Sequence, residues 1–202
     1  RRMKLAMQGN VIRALVELIT NSDDSYGRIG KDKKNELVEI LYKKDGYCGL
    51  FAVRDHAEGM SIQDVRKSFK KYGAATSGMD AGKTGRGYFG QGAKDALVSM
   101  LDGKICTFKE NMFVECRLFF ENNVPIYEIS EPCLASSQLR SQHGIPSNGT
   151  IAYFRADPNR DVKVPRFDTV HEELATNHLL RKIMQNPMRK VILVDLDDSK
   201  KR

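Results

Sequence analysis

The chain has 202 residues, 41% hydrophobic and 29% charged, with 33 Lys and Arg against 26 Asp and Glu for a net charge of +7. That length suits one domain, or two very small ones, and the composition excludes collagen, a coiled coil and wholesale disorder. No apolar run approaches the ~20 residues of a membrane-spanning helix, so no membrane partner is expected. The opening Arg1-Arg2-Met3-Lys4 lacks a signal-peptide pattern, and because it does not begin with Met, a longer parent protein is expected.

The basic balance favours anionic partners. The cations are spread along the chain, with modest clusters at Lys31–Lys34, Arg66–Lys71 and Lys200–Arg202. That distribution reads as a solvated surface in preference to a nucleic-acid stripe. Cys48, Cys106, Cys116 and Cys133 form no C-x-x-C pair and read as reduced core thiols of a cytosolic protein. His56, His143, His171 and His178 show no metal-ligand spacing.

In chain order, residues from Leu5 to Arg28 read as a long amphipathic helix. Val11, Ile12, Leu15, Val16, Leu18 and Ile19 fall opposite Glu17, and Gly27 and Gly30 mark the end. Leu37–Tyr42 and Gly49–Arg54 read as a hairpin around Asp45-Gly46. Ser61 with Asp64 resembles a capping box opening a helix through Lys71, with Ile62, Val65 and Phe69 inward. Gly73 to Gly92 holds seven glycines in twenty residues, too many for an ordinary helix or strand. A helix follows at Ala93–Leu101, then strands at Lys104–Lys109, Met112–Phe120, Ile126–Ser130 and Thr150–Arg155. Pro132–Asn148 reads as a surface loop, Phe167–Gln185 as a helix and Val191–Leu196 as a last strand before a charged tail. With no repeat and no long linker, the order predicts one α+β domain over residues 1–202, helices layered on a mostly antiparallel sheet.

Four constellations carry possible chemistry. Glu17, Asn21 and Asp24 share a strip of helix roughly 60° wide, where a carboxylate and an amide oxygen suit Mg²⁺ and a water. The same strip also fits the wet side of the helix. Asp55-His56-Ala57-Glu58-Gly59-Met60 places an acid at a strand end, suited to accept a ligand's amine hydrogen or to satisfy its own turn. Gly85-Arg86-Gly87-Tyr88-Phe89-Gly90 matches G-x-G-x-x-G, but no strand precedes it, so the Rossmann context fails. Ser77 stands where a Walker A loop needs its leading glycine. Glycines running into a helix near Ala93, with Lys83, Arg86 and Lys94 nearby, still present a phosphate cradle. Gly149-Thr150 opens a late strand.

Together and in this order, the four resemble the GHKL ATPases, which share the Bergerat ATP-binding fold. That group includes gyrase-type topoisomerases, heat-shock chaperones, sensor histidine kinases and MutL mismatch-repair proteins. Glu17 to Asp24 matches the family's N-box, and Asp55 to Gly59 its D-x-G-x-G loop, with Ala57 in place of the first loop glycine. Gly85 to Gly92 matches the glycine-rich lid, and Gly149-Thr150 the late G-T. The resemblance covers about residues 5–155.

The resemblance implies a two-layer sandwich with a lid at about 73–92, and ATP and Mg²⁺ as ligands. It implies that Asn21 ligates the metal, Glu17 activates water and Asp55 accepts from the adenine amine. Thr150 backs that contact, Gly59 and Met60 line the base pocket, and Asp24 sits beside base and ribose. Gly87, Gly90 and Gly92 wrap the phosphates, and Lys94 contacts them. Sensor kinases carry Asn where this chain has Glu17 and Lys or Arg where it has Asp24, so the hydrolase branches fit better.

The function implied is a slow, Mg²⁺-dependent ATPase switch, forming a nucleotide-dependent homodimer in the cytoplasm, or the nucleus of a eukaryote. The last segment, 187–202, is then a final strand and tail leading toward a further domain. A regulatory module that binds nucleotide without hydrolysis stands beside it, as does a basic nucleic-acid-binding domain. Protein and nucleic-acid clients both remain open.

Overall fold

The computed structural model describes residues 10–29, 36–70, 94, 96–98, 100, 102–121 and 124–198. The glycine-rich stretch 73–92, with Gly87, Gly90 and Gly92, lies outside the described residues, as do the expected start of the first helix before Asn10 and the tail after Asp198.

Helix α1 is Val11–Ile29. Asn10 starts it, its Oδ1 accepting from the Arg13 amide at 3.0 Å, which satisfies a donor that the first turn would otherwise leave unpaired. The apolar face expected from the spacing is buried, Ala14, Leu15 and Ile19 completely. Each such Leu or Ile contributes roughly 1.5–3 kcal/mol of burial.

Strands β1 (Glu36–Asp45) and β2 (Cys48–Asp55) form the expected hairpin, in register from Val38↔Asp55 to Asp45↔Cys48. Gly46 turns it at φ 60°, a conformation glycine adopts without steric cost. Helix α2 (Ile62–Lys70) opens with the reciprocal cap: Ser61 Oγ accepts from the Asp64 amide at 3.2 Å, and Asp64 Oδ2 accepts from the Ser61 amide at 2.9 Å. Residues 94 and 96–98 are helical, as expected.

Strands β3 (Asp102–Lys109), β4 (Met112–Glu121), β5 (Val124–Ile129), β6 (Cys133–Leu134), β7 (Gly149–Ala156) and β8 (Arg189–Asp195) complete one sheet. Its order is β5-β4-β3-β7-β2-β1-β8, with β6 on β4. Strand β8 runs parallel to β1; the other described pairings are antiparallel. The fold is therefore α+β with a mixed eight-stranded sheet.

The main core lies on one sheet face, where Ile40, Phe51, Val53, Ile105 and Phe154 meet α1, α2 and the helical residues 96–98. Two further helices, α4 (Phe167–Ala175) and α5 (Arg181–Met184), cover the same face through Val170, Leu174 and Ile183. A smaller cluster of Ala52, Cys106, Phe108, Phe113, Ile145 and Ile151 occupies the other face.

Two segments differ from the sequence expectation. The expected loop Pro132–Asn148 contains a short helix, α3 (Ser137–His143), with Ser136 as N-cap and Gly144 at φ 65° as C-cap. Seven residues with one large apolar side chain show no helical period. Yet α3 covers the second face, where buried His143 stacks on Phe113 at 5.6 Å and bonds Tyr153 Oη through Nδ1 at 2.8 Å. The expected single helix Phe167–Gln185 is interrupted between α4 and α5. There Thr176 Oγ1 donates to the Glu172 carbonyl and Asn177 Oδ1 accepts from the Leu179 amide, local bonds that compete with helix continuation. Cys48, Cys106 and Cys116 are buried thiols, whereas Cys133 on the short β6 is exposed.

Candidate functional site

A pocket opens between α1 and the adjoining ends of β2 and β7. Strand alternation puts Asp55, the last residue of β2, on the same face as Phe51 and Val53, aimed at α1. Only 5% of Asp55 is exposed. Its Oδ2 accepts from Ser22 Oγ at 3.0 Å and its Oδ1 from the Ala57 amide at 3.0 Å. Burial pushes its carboxyl up from 3.8 to about 6, against the opposing pull of the Ala57, Ser22 and Thr150 hydrogen bonds and of His56. A carboxylate so placed is an acceptor-only group whose stranding without a partner is costly.

Thr150 is the register partner of Asp55 across β2 and β7. Its hydroxyl meets Thr107 Oγ1 at 3.2 Å, and the Thr107 hydroxyl accepts from the Met60 amide at 2.7 Å. Three strands thus hold the loop that carries Gly59 and Met60. Gly59 sits at φ 68°, where a Cβ would lie 2.0 Å from the Phe108 carbonyl oxygen. The close approach of loop to β3 therefore requires glycine.

Five residues expected from the sequence line this pocket: Asn21, Asp55, Gly59, Met60 and Thr150. Glu17 and Asp24 flank it, half-buried on α1 beside Asn21 but outside the lining. The Asn21 side-chain amide donates to the Glu17 carbonyl at 2.7 Å, which orients the group by its nitrogen end. Lys94 is elsewhere. Its ammonium donates to the Ser68 carbonyl at 2.5 Å and lies 5.5 Å from the Phe69 ring centre, turned toward α2. Ala57 is buried in the core and is not part of the lining.

Ser22, Ser25 and Arg28 line the pocket without having been expected. Ser22 carried a readable signal: on a helical wheel it falls among Leu15, Leu18 and Tyr26, inside the apolar face. A hydroxyl there needs a partner, and Asp55 is that partner. Arg28 Nε also pairs with Glu58 Oε1 at 2.5 Å, joining the end of α1 to the loop after β2. The pocket leaves about 20 Å³ for water, room for roughly one molecule.

No family model and no curated protein matches this sequence. Among solved structures, the chain is similar to the ATPase and transducer domains of DNA topoisomerase II from Balamuthia mandrillaris, with a TM-score of 0.59 at 14% identity. The match covers 91% of this chain and 46% of that one, so the chain spans less than half of its length. The fold is consistent with the Bergerat type. At this identity the likeness concerns the fold, and a Bergerat-type fold alone does not assign a reaction. No described helix is long and apolar enough to cross a membrane.

Proposed function

We propose that the chain is a GHKL-type domain that binds ATP with Mg²⁺ and hydrolyses it slowly, as a conformational switch within a larger protein. The observation that carries this reading is the buried Asp55 carboxylate at the pocket wall, oriented by Ser22 and Ala57 and backed by Thr150. Asp55 accepts from the adenine amine, and Thr150, Gly59 and Met60 shape the base site around it. In this structure the pocket has room for about one water, so the base enters as the residues lining it move apart.

The residues present fit the metal as well. Asn21 lines the pocket, and its side-chain carbonyl oxygen is the atom type Mg²⁺ takes. Asn21 would hold Mg²⁺ there, and the metal would supply charge to offset that of the nucleotide phosphates. Glu17, one turn before Asn21, orients a water and takes its proton, and Asp24 lies toward the ribose. Gly87, Gly90 and Gly92 are proposed to wrap the phosphates. Lys94 is engaged by Ser68 and is not assigned to them. Nucleotide-dependent pairing of two copies is proposed for the larger protein, as the fold neighbour's ATPase class suggests.

The test pairs the ATP dissociation constant with single-turnover hydrolysis for wild type and Glu17→Ala. General-base assistance is worth about 10²–10⁴-fold, so the variant binds ATP nearly normally and turns over slower by that factor. Equal turnover removes Glu17 as the base. Binding without turnover in the wild type identifies a regulatory nucleotide-binding module instead.

A further inference from the structure

We propose that Tyr26 sets the base selectivity of this pocket as a positioning residue, and that Arg189 at the start of β8 locks it in place. The inference rests on the nucleotide reading above.

Tyr26 is buried and is not part of the pocket lining. Its hydroxyl donates to the Leu37 carbonyl at 2.7 Å, so its single proton is committed to β1. The oxygen then accepts from the His56 amide at 2.9 Å. That amide belongs to the peptide bond leaving Asp55. Ser22 and Tyr26 lie one helical turn apart on α1 and hold the same residue from two sides. Ser22 holds the carboxylate at 3.0 Å, and Tyr26 holds the backbone that carries it. Burial pushes the Tyr26 phenol up to about 12, which keeps it a neutral donor at working pH.

Arg189 closes the arrangement from behind. Its guanidinium carbon lies 4.6 Å from the Tyr26 ring centre, a cation–π contact in a desolvated setting. Its Nε donates to Asp23 Oδ1 at 2.7 Å, and its Nη1 pairs with Glu36, its register partner on β1. The Arg189 side chain is 4% exposed, so the group has no route to solvent without breaking these bonds. The first residue of β8 thus fixes the ring, the ring fixes the His56 amide, and the amide fixes Asp55.

A carboxylate distinguishes an amine from a carbonyl at the same ring position only if it stays where it is. Held at two points, Asp55 meets the carbonyl of hypoxanthine as an acceptor facing an acceptor. Without the Tyr26 hold, Ser22 and the Ala57 amide still grip the carboxylate, but the peptide that carries it can shift and admit a water between the two. Loosening the backbone hold therefore erodes selectivity more than affinity.

The experiment measures dissociation constants of ADP and IDP, with Mg²⁺, for the 202-residue chain, Tyr26→Phe and Arg189→Lys. Tyr26→Phe keeps the ring and loses only the hydroxyl. The expected result is a ratio of IDP to ADP dissociation constants about tenfold lower than wild type, with ADP itself weakened only about threefold. Arg189→Lys keeps the charge, loses the planar contact over the ring and shifts the ratio the same way. Because the ratio is taken within one variant, a general loss of stability cancels. A ratio unchanged in Tyr26→Phe overturns the inference while leaving the nucleotide reading intact. No saturable ADP binding by the wild type overturns both.

Discussion

The Ser22 hydroxyl on α1 donates to Asp55 Oδ2 at 3.0 Å across 33 residues of sequence, joining the first helix to the end of the second strand. The bond satisfies a buried carboxylate and also limits where it points. Its partner atom Oδ1 is taken by the Ala57 amide, so both oxygens of Asp55 are anchored by protein donors and keep lone pairs for a ligand.

Replacing that carboxylate separates binding from stability. If Asp55 reads the base as proposed, Asp55→Asn places an amide donor where the adenine amine needs an acceptor, and ATP binding is expected to weaken by about 1.5–3 kcal/mol. Stability moves the other way. The Asp55 carboxyl titrates near 3.8 when unfolded and about 6 when folded, because burial disfavours its charge. The folded state therefore holds the proton more tightly. The group's stabilising contribution is complete below pH 3.8 and is lost as pH rises through about 6, a swing on the order of 3 kcal/mol. Urea unfolding of nucleotide-free protein should find Asp55→Asn more stable than wild type at pH 7.5, with the gain gone at pH 4. Unaltered ATP affinity would remove Asp55 as the base-reading group.

Gly59→Ala tests the loop. At φ 68° a side chain costs about 1–2 kcal/mol from conformation alone, and the new Cβ would sit 2.0 Å from the Phe108 carbonyl oxygen. The loop must lift from β3, breaking the bond from the Met60 amide to Thr107. Lower stability and ATP affinity reduced at least about tenfold are expected, read by urea unfolding and calorimetric titration. A variant indistinguishable from wild type in both would show that the loop's position does not matter to the site.

Glu39→Gln tests the opposite sheet face. Glu39 Oε2 accepts from Arg54 Nε at 2.6 Å and lies 3.2 Å from His56 Nε2. Burial raises its pKa, but the bonds to His56 and Arg54 outweigh burial and bring it from 4.5 down to about 2. The contribution is present above pH 4.5 and lost as pH falls through about 2, on the order of 3 kcal/mol in full. Glu39→Gln should therefore lower the urea midpoint at pH 7 and steepen acid unfolding less than wild type below pH 4. Equal midpoints at pH 7 would refute a stabilising role for the cluster.

Periodicity and turn chemistry reached a good part of this structure. The buried face of α1, the Asp45-Gly46 turn and the Ser61–Asp64 cap are all local patterns, and local patterns are written in adjacent residues. The resemblance set Thr150 beside Asp55, but the strand register that pairs them was not legible, because register between strands so distant in sequence follows from which strand becomes the neighbour. Thr107 went unremarked for the same reason: it matters only because β7 lies between β2 and β3. Helix α3 was invisible because its existence depends on the apolar sheet face it covers, around Phe108 and Phe113. The interruption after α4 turned on side-chain bonds of Thr176 and Asn177 that compete with a helix otherwise well patterned.

The insertion of β7 between β2 and β3 has a consequence for how this chain is made. During synthesis, β2 leaves the ribosome roughly ninety residues before the strand that will sit beside it, a wait of about 5–20 s at ordinary elongation rates. Until then the β1–β2 hairpin presents an open edge and a half-covered apolar face, the conditions under which strands pair with the wrong partner. Helix α1, already emerged, can shelter that face early. The second wall of the pocket arrives only with Thr150, so a nascent chain that lacks β7 has Asp55 in place but no pocket around it.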